Sequence, residues 1–146
     1  MEYDILLING PNLSMLGLRQ PEIYGHTTLE AIEVQCGVRA TAHNLTVECF
    51  QSNHEGELID KLCDAYGAVR GIIINAGGFS HTSVALRDAL TMHKVPIIEV
   101  HISNIHAREQ FRSVSFISGV ATGVICGLGP VGYIFAIDAL ANLIST

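Results

Sequence analysis

Glu99, His101, His106, Arg108 and Arg112 fall within the stretch EVHISNIHAREQFR, residues 99–112. Glu99 and His101 stand two apart. On a strand that spacing puts both side chains on one face, where a carboxylate can fix the tautomer of an imidazole, and His101 becomes a candidate general acid. Far upstream, Arg19 precedes Tyr24 within a long loop of about residues 10–26. An arginine at that distance can fold back on the phenol and favour the phenolate, which makes Tyr24 a candidate general base; an exposed loop with an idle Arg and Tyr is the competing reading. Between these lies Asn75-Ala76-Gly77-Gly78-Phe79-Ser80-His81-Thr82-Ser83, a turn whose glycines let backbone N–H groups approach an anion at a helix start. It has neither the lysine nor the glycine spacing of a nucleotide loop, and taken alone a capped helix after a tight turn accounts for it.

Other chemistries find poor candidates. The two lysines, Lys61 and Lys94, fall within a helix and ahead of the fourth strand, so Schiff-base chemistry lacks a nucleophile at the right place. Ser14, Ser83 and Ser103 have no G-x-S-x-G elbow around them, and no cysteine lies in an electropositive loop. His54, His81, His101 and His106 lack ligand spacing such as H-x-x-x-H, so no metal site is expected. Acid and base chemistry without a covalent intermediate remains.

The elements that must position these residues alternate along the chain. Apolar runs at Ile5 to Ile8, Leu45 to Phe50, Gly71 to Ile74, Val95 to Val100 and Val120 to Ile125 read as strands buried on both faces. Helical patterns separate most of them. The first opens on Thr27-Thr28-Leu29-Glu30, a capping-box arrangement leading into Leu29, Ile32 and Cys36. The second carries Leu58, Ile59, Leu62 and Ala65 and stops at Gly67; the third runs from about Thr82 to Leu90 and the last from about Gly132 to Ile144. This pattern predicts an α/β fold, a doubly wound five-stranded parallel sheet of the flavodoxin-like kind. Gly10-Pro11-Asn12, Ser52-Asn53-His54-Glu55, Asn75-Ala76-Gly77-Gly78 and Glu99 to Arg112 then all follow carboxyl ends of strands, where open α/β sheets bind ligands, while the opposite edge offers mainly Asn44, Arg70, His93 and Lys94.

Composition bounds the setting. The 146 residues suit a single catalytic domain over 1–146, and 49% apolar residues suffice for a core. A net charge of −6 with eight scattered Lys and Arg argues against nucleic acid as a partner and for a small ligand. Cys36, Cys49, Cys63 and Cys126 have no C-x-x-C spacing and lie in or beside apolar segments, which suits buried reduced thiols. The opening Glu2-Tyr3-Asp4 is not a basic leader and no apolar run reaches the length of a membrane span, so a cytoplasmic protein with no membrane partner is expected. With only 15% charged residues, apolar surface is expected to remain on the folded monomer and to be buried in a homo-oligomer.

Five motifs in order, INGPNL at 8–13, RQPEIYG at 19–25, FQSNHEGELID at 50–60, INAGGFSHTSVALRDAL at 74–90 and EVHISNIHAREQFR at 99–112, give the chain a resemblance to the type II 3-dehydroquinate dehydratases along essentially its whole length. The resemblance implies anti dehydration of 3-dehydroquinate to 3-dehydroshikimate through an enolate, in the shikimate pathway or in quinate catabolism, with no metal or organic cofactor. By it, Tyr24 removes the proton next to the ketone, Arg19 with Arg108 holds Tyr24 as phenolate, Asn12 orients a water at the enolate oxygen, and His101 paired with Glu99 protonates the departing hydroxyl. Asn75, His81 and Arg112 hold substrate hydroxyls, Ile102 and Ser103 offer backbone N–H groups to its carboxylate, and Asp88 reaches a neighbouring subunit's site, since the family assembles trimers into a dodecamer. Ser14 stands where the family carries asparagine, and Ser113-Val114-Ser115-Phe116 where it commonly carries His or Lys, then His-Ser-Tyr. These departures bear on the packing around Arg112 more than on the chemical step.

Two rivals come from other classes. A receiver module shares the sheet order but needs an acidic cluster after strand one and a lysine after strand five, where this chain has Asn9-Gly10 and Gly127-Leu128. A catalytically silent, flavodoxin-like small-ligand-binding relative keeps the same residues without the reaction.

Overall fold

The computed structural model describes residues 3–145; Met1, Glu2 and Thr146 lie outside the described residues, and with them the Glu2 of the N-terminal reading. Five parallel strands, β1 (Ile5–Asn9), β2 (Val47–Gln51), β3 (Gly71–Asn75), β4 (Ile97–His101) and β5 (Gly123–Cys126), form one sheet in the order β2-β1-β3-β4-β5. The helices are α1 (Pro21–Tyr24), α2 (Leu29–Ala42), α3 (Glu55–Asp64), α4 (Val84–Thr91) and α5 (Val131–Ser145). This is the flavodoxin-like order predicted from the alternating pattern.

Alternation along the central strands divides the core in two. Ile5, Leu7, Ile73, Ile98 and Val100 pack against Ile32, Cys36 and Ala40 of α2 and Tyr133, Ile137 and Leu140 of α5. Leu6, Ile8, Ile72, Ile74 and Ile97 pack against Leu58 and Leu62 of α3 and Leu86 and Leu90 of α4. Each such side chain contributes about 1.5–3 kcal/mol by leaving water, which makes the three inner strands a rigid base. Full burial on both faces holds for β1, β3 and β4, but the edge strands β2 and β5 are only partly covered.

Several boundaries move because side chains, not periodicity, end the elements. The cap of α2 is Thr28, whose Oγ1 accepts from the Ala31 N–H at 3.2 Å, so the Thr27–Glu30 box does not form. Helix α4 starts at Val84, not Thr82: Ser83 caps it by accepting from the Leu86 N–H at 2.9 Å, and Gly77–His81 winds instead as a 3-10 turn. The fifth strand begins at Gly123, because Ser118–Val120 forms a 3-10 turn and Thr122 is tied by its N–H to the Ile97 carbonyl and by its Oγ1 to the Ile97 N–H. Two burial expectations also fail. Cys63 is exposed although all four cysteines are free, and His93 is buried with Nε2 on the Leu62 carbonyl instead of lining the opposite edge.

Candidate active site

The loops that leave β1, β3 and β4 enclose a cleft of about 140 Å³. That is close to the ~150 Å³ of cavities that take up benzene, so the space suits a ligand built on one six-membered ring. The cleft sits at the carboxyl edge, at the switch point where the connections from β1 and β3 diverge to opposite faces. Two glycines make it possible. A Cβ on Gly10 would stand 2.4 Å from the Ala76 carbonyl oxygen, and Gly77 at φ 58° brings its backbone against the Pro11 carbonyl. Any side chain at Gly10 would force the two loops apart and open the cleft floor.

One side of the cleft is carried by β4. Glu99 and His101 share the face on which Ile97 packs, and both are buried, at 0% and 4% exposure. His101 Nε2 lies 2.5 Å from Glu99 Oε2, which confirms the strand spacing and leaves Nδ1 for a ligand. Burial alone would raise the Glu99 carboxyl, but bonds from His101, Ser115 and Ser118 outweigh it and hold the group below the usual carboxylate range.

The opposite side is carried by the loop after β1. Helix α1 is one turn long, opened by Pro21 after Gln20 at φ 44° and closed by Gly25, and it presents Tyr24 to the cleft. The Tyr24 hydroxyl accepts from Arg108 Nη1 at 2.9 Å, and the same nitrogen donates to Ser103 Oγ at 3.1 Å. Arg19 stands against the ring, 5.9 Å from its centre, and Arg108 at 5.3 Å. The direct hydrogen bond to the phenol therefore comes from Arg108, while Arg19 contributes through the ring face.

The remaining candidates separate into those at the cleft and one that is not. Asn12, in the left-handed conformation at φ 69°, lines it and is braced by its N–H to Asn53 Oδ1 at 2.9 Å. Asn75 lines it with its orientation fixed from below: Nδ2 donates to the Tyr133 hydroxyl at 2.9 Å and Oδ1 accepts from the Gly77 N–H at 3.1 Å. Tyr133 in turn donates to Asn9 Oδ1 at 2.6 Å. His81 uses Nδ1 on the Val114 carbonyl at 2.8 Å, and Arg112 lines the wall with Nε on Glu109. Ile102 and Ser103 also line the cleft, and among the described residues neither of their amides donates to a backbone carbonyl. Asp88 is exposed on α4 and is not part of the cleft in this chain.

Sequence reasoning missed Tyr133, Asn9, Ser115 and Ser118, none of which touches the open cleft, and it misread the role of Ser52-Asn53-His54-Glu55. Those residues brace rather than line: Asn53 and Gln51 hold the first loop, and Glu55 accepts from the Ser83 hydroxyl. A buried polar residue at a core position, as Tyr133 is in α5, was the available signal. The departing segment 113–116 holds its place largely through its backbone. The Phe116 N–H donates to the Ser80 carbonyl at 2.7 Å and Arg87 Nη1 to the Phe116 carbonyl at 2.6 Å, so changes of side chain at 114 and 116 leave these bonds available. Among the described residues no group of three His, Cys, Asp or Glu side chains could hold a metal ion, and no lysine lines the cleft.

With this geometry in place, residues 3–141 match the family described as Dehydroquinase class II. The chain belongs to the class II dehydroquinases. It is 55% identical to the 3-dehydroquinate dehydratase of Ruegeria pomeroyi over 97% of this chain and 95% of that protein, and 58% identical to the 3-dehydroquinate dehydratase of Corynebacterium glutamicum over 98% and 99%. The crystal structure of the type II dehydroquinase from Propionibacterium acnes superposes with a TM-score of 0.92 at 41% identity, covering 97% of this chain and 98% of that one. As a class II dehydroquinase the chain is a hydro-lyase. Four of the five motifs quoted above supply cleft residues directly, and the fifth braces the first loop.

Proposed function

We propose that the chain dehydrates 3-dehydroquinate to 3-dehydroshikimate by anti elimination through an enolate, without metal or organic cofactor. The observation that carries this reading is the pairing of two opposed acid–base units on one ring-sized cleft, Tyr24 under Arg108 and His101 on Glu99. Tyr24, as phenolate, takes the proton α to the ketone, and the electron pair moves onto the carbonyl oxygen. The enolate then expels the hydroxyl, which leaves as water with a proton from His101. Arg108 and Arg19 stabilise negative charge on Tyr24 before transfer, and Asn12 orients a water at the enolate oxygen, so that charge appearing only in the transition state meets donors already in place. Asn75 offers its remaining amide hydrogen, His81 its ring and Arg112 its guanidinium to the substrate hydroxyls. The Ile102 and Ser103 amides receive the substrate carboxylate.

The same reading includes a homo-oligomer of trimers assembled into a dodecamer, in which Asp88 reaches a neighbour's site; Val84, 56% exposed on the same helix, supports a covered face there. Four free cysteines suit the reducing cytoplasm. Among the described residues no helix is long and apolar enough to cross a membrane. The test is to add purified protein to 3-dehydroquinate with chelator present and follow the enone absorbance of the product. Steady growth of that absorbance is expected. Loss of activity on chelation with recovery on adding a divalent ion would overturn the cofactor-free mechanism, and no absorbance change at all would favour the silent ligand-binding relative.

A further inference from the structure

Ser115 and Ser118 lie outside the cleft, yet both spend their hydroxyl hydrogen on one buried carboxylate. Ser115 Oγ donates to Glu99 Oε2 at 2.6 Å and Ser118 Oγ to Glu99 Oε1 at 2.5 Å. We propose that these two serines are positioning residues for the acid pole: together they lock the Glu99 carboxylate in one orientation, and through it aim His101 at the substrate.

The geometry argues for direction, not mere satisfaction. The torsion at the end of a glutamate side chain is broad and has no steep wells of its own, so the plane of the carboxylate is set by its partners. His101 shares Oε2 with Ser115, while Ser118 is the hydrogen bond recorded at Oε1. The Ser115 oxygen also accepts from the Ile117 N–H at 3.1 Å, which occupies a lone pair and turns its hydrogen toward Glu99. Ser118 opens the 3-10 turn Ser118–Val120, which follows the fully buried Ile117. The segment is anchored to α4 and its preceding turn by Arg87 on the Phe116 carbonyl and the Phe116 N–H on the Ser80 carbonyl. The orientation of the catalytic imidazole is thus set from a stretch that never touches substrate.

This inference rests on His101 acting as the acid, so its test needs a readout that does not depend on turnover. Ser115→Ala and Ser118→Ala, made singly, each remove one bond to a charged group. Each should lower kcat by about tenfold, and the pair together by about 100-fold, with KM within about twofold. Ser118→Thr, which keeps the hydroxyl, should restore most of the rate, and Ser113→Ala, whose hydroxyl bonds the Gln110 carbonyl, should have no effect. In parallel, histidine-selective nitrogen-15 NMR should show the His101 ring proton facing Glu99 as a slowly exchanging downfield signal that weakens or shifts in both alanine variants. An unchanged ring signal with unchanged kcat overturns the proposal, as does a loss of kcat that Ser118→Thr fails to restore. If the unaltered protein does not dehydrate the substrate, the functional reading fails while the ring signal still decides whether the serines aim His101.

Discussion

Glu99 lies in the middle of β4 and His101 at its carboxyl end, both buried and with serine hydroxyls behind the carboxylate, whereas Tyr24 sits on a single helical turn and Arg19 just ahead of it in the same long loop, where a hydrogen bond from Arg108 and two guanidinium groups against the ring hold the phenol. The proposed acid pole is a product of the sheet, and the proposed base pole is a product of the loop. What joins them is Arg108, which comes from the segment after β4 yet bonds the Tyr24 hydroxyl across the cleft. A strand position can be held within small tolerances by packing on both faces, but a loop position needs a specific partner. The contrast locates the vulnerable contacts.

The largest effect is expected at the base itself. Tyr24→Phe removes the oxygen proposed to take the proton and almost no volume, so turnover should fall by about 10³-fold or more while the thermal unfolding midpoint stays near that of the unaltered protein. Near-normal turnover would show that the loop pole is not the base. Arg108→Ala comes next, with an expected fall of about 10²-fold in kcat, because among the described residues Arg108 supplies the hydrogen bond at the phenol; Arg19→Ala should cost less, since Arg19 stands against the ring face. An equal or greater loss from Arg19→Ala would reverse that order.

Below the cleft, Tyr133→Phe leaves Asn75 Nδ2 and Asn9 Oδ1 without their shared partner, and Asn9 Nδ2 is already a buried group with no hydrogen-bond partner. A loss of about 1–3 kcal/mol in denaturant stability is expected, together with a raised KM as Asn75 loses its fixed orientation. The smallest effect concerns acid. Asp138 is held at about 2 by Arg39 first and then His43, and Glu99 is also held below its ordinary value, with burial opposed by His101, Ser115 and Ser118. Both carboxylates bind a proton more readily in the unfolded chain, so their stabilisation is complete above about pH 4–5, the unfolded range, and is lost as pH falls through the folded values. The Asp138 cluster is exposed enough for solvent screening to make its share small. Asp138→Asn should therefore shift the acid unfolding curve only slightly, and Glu99→Gln should alter it more.

Much of this was legible from residue order. Period-two alternation places Glu99 and His101 on one face, and alternating strand and helix patterns imply a doubly wound sheet. Boundaries were less legible, because Thr28, Ser83 and Thr122 end elements with side-chain hydrogen bonds that leave no periodic trace. Ser115 and Ser118 were invisible for a related reason: they lie in irregular chain, and their partner is sixteen to nineteen positions away. Tyr133 was hidden by its setting in an apolar helix, where it reads as core. Asp88, exposed on α4 and away from the cleft, has its proposed part across a subunit boundary, which no pattern within the chain encodes.

The most direct test follows the substrate's α hydrogen in heavy water with two variants side by side. With His101→Ala, deuterium should enter the α carbon of 3-dehydroquinate while dehydration falls by orders of magnitude, because the base pole still works and the acid pole does not. With Tyr24→Phe, both exchange and dehydration should fall together. Exchange at the rate of the unaltered protein in Tyr24→Phe would contradict the division of labour between the two poles.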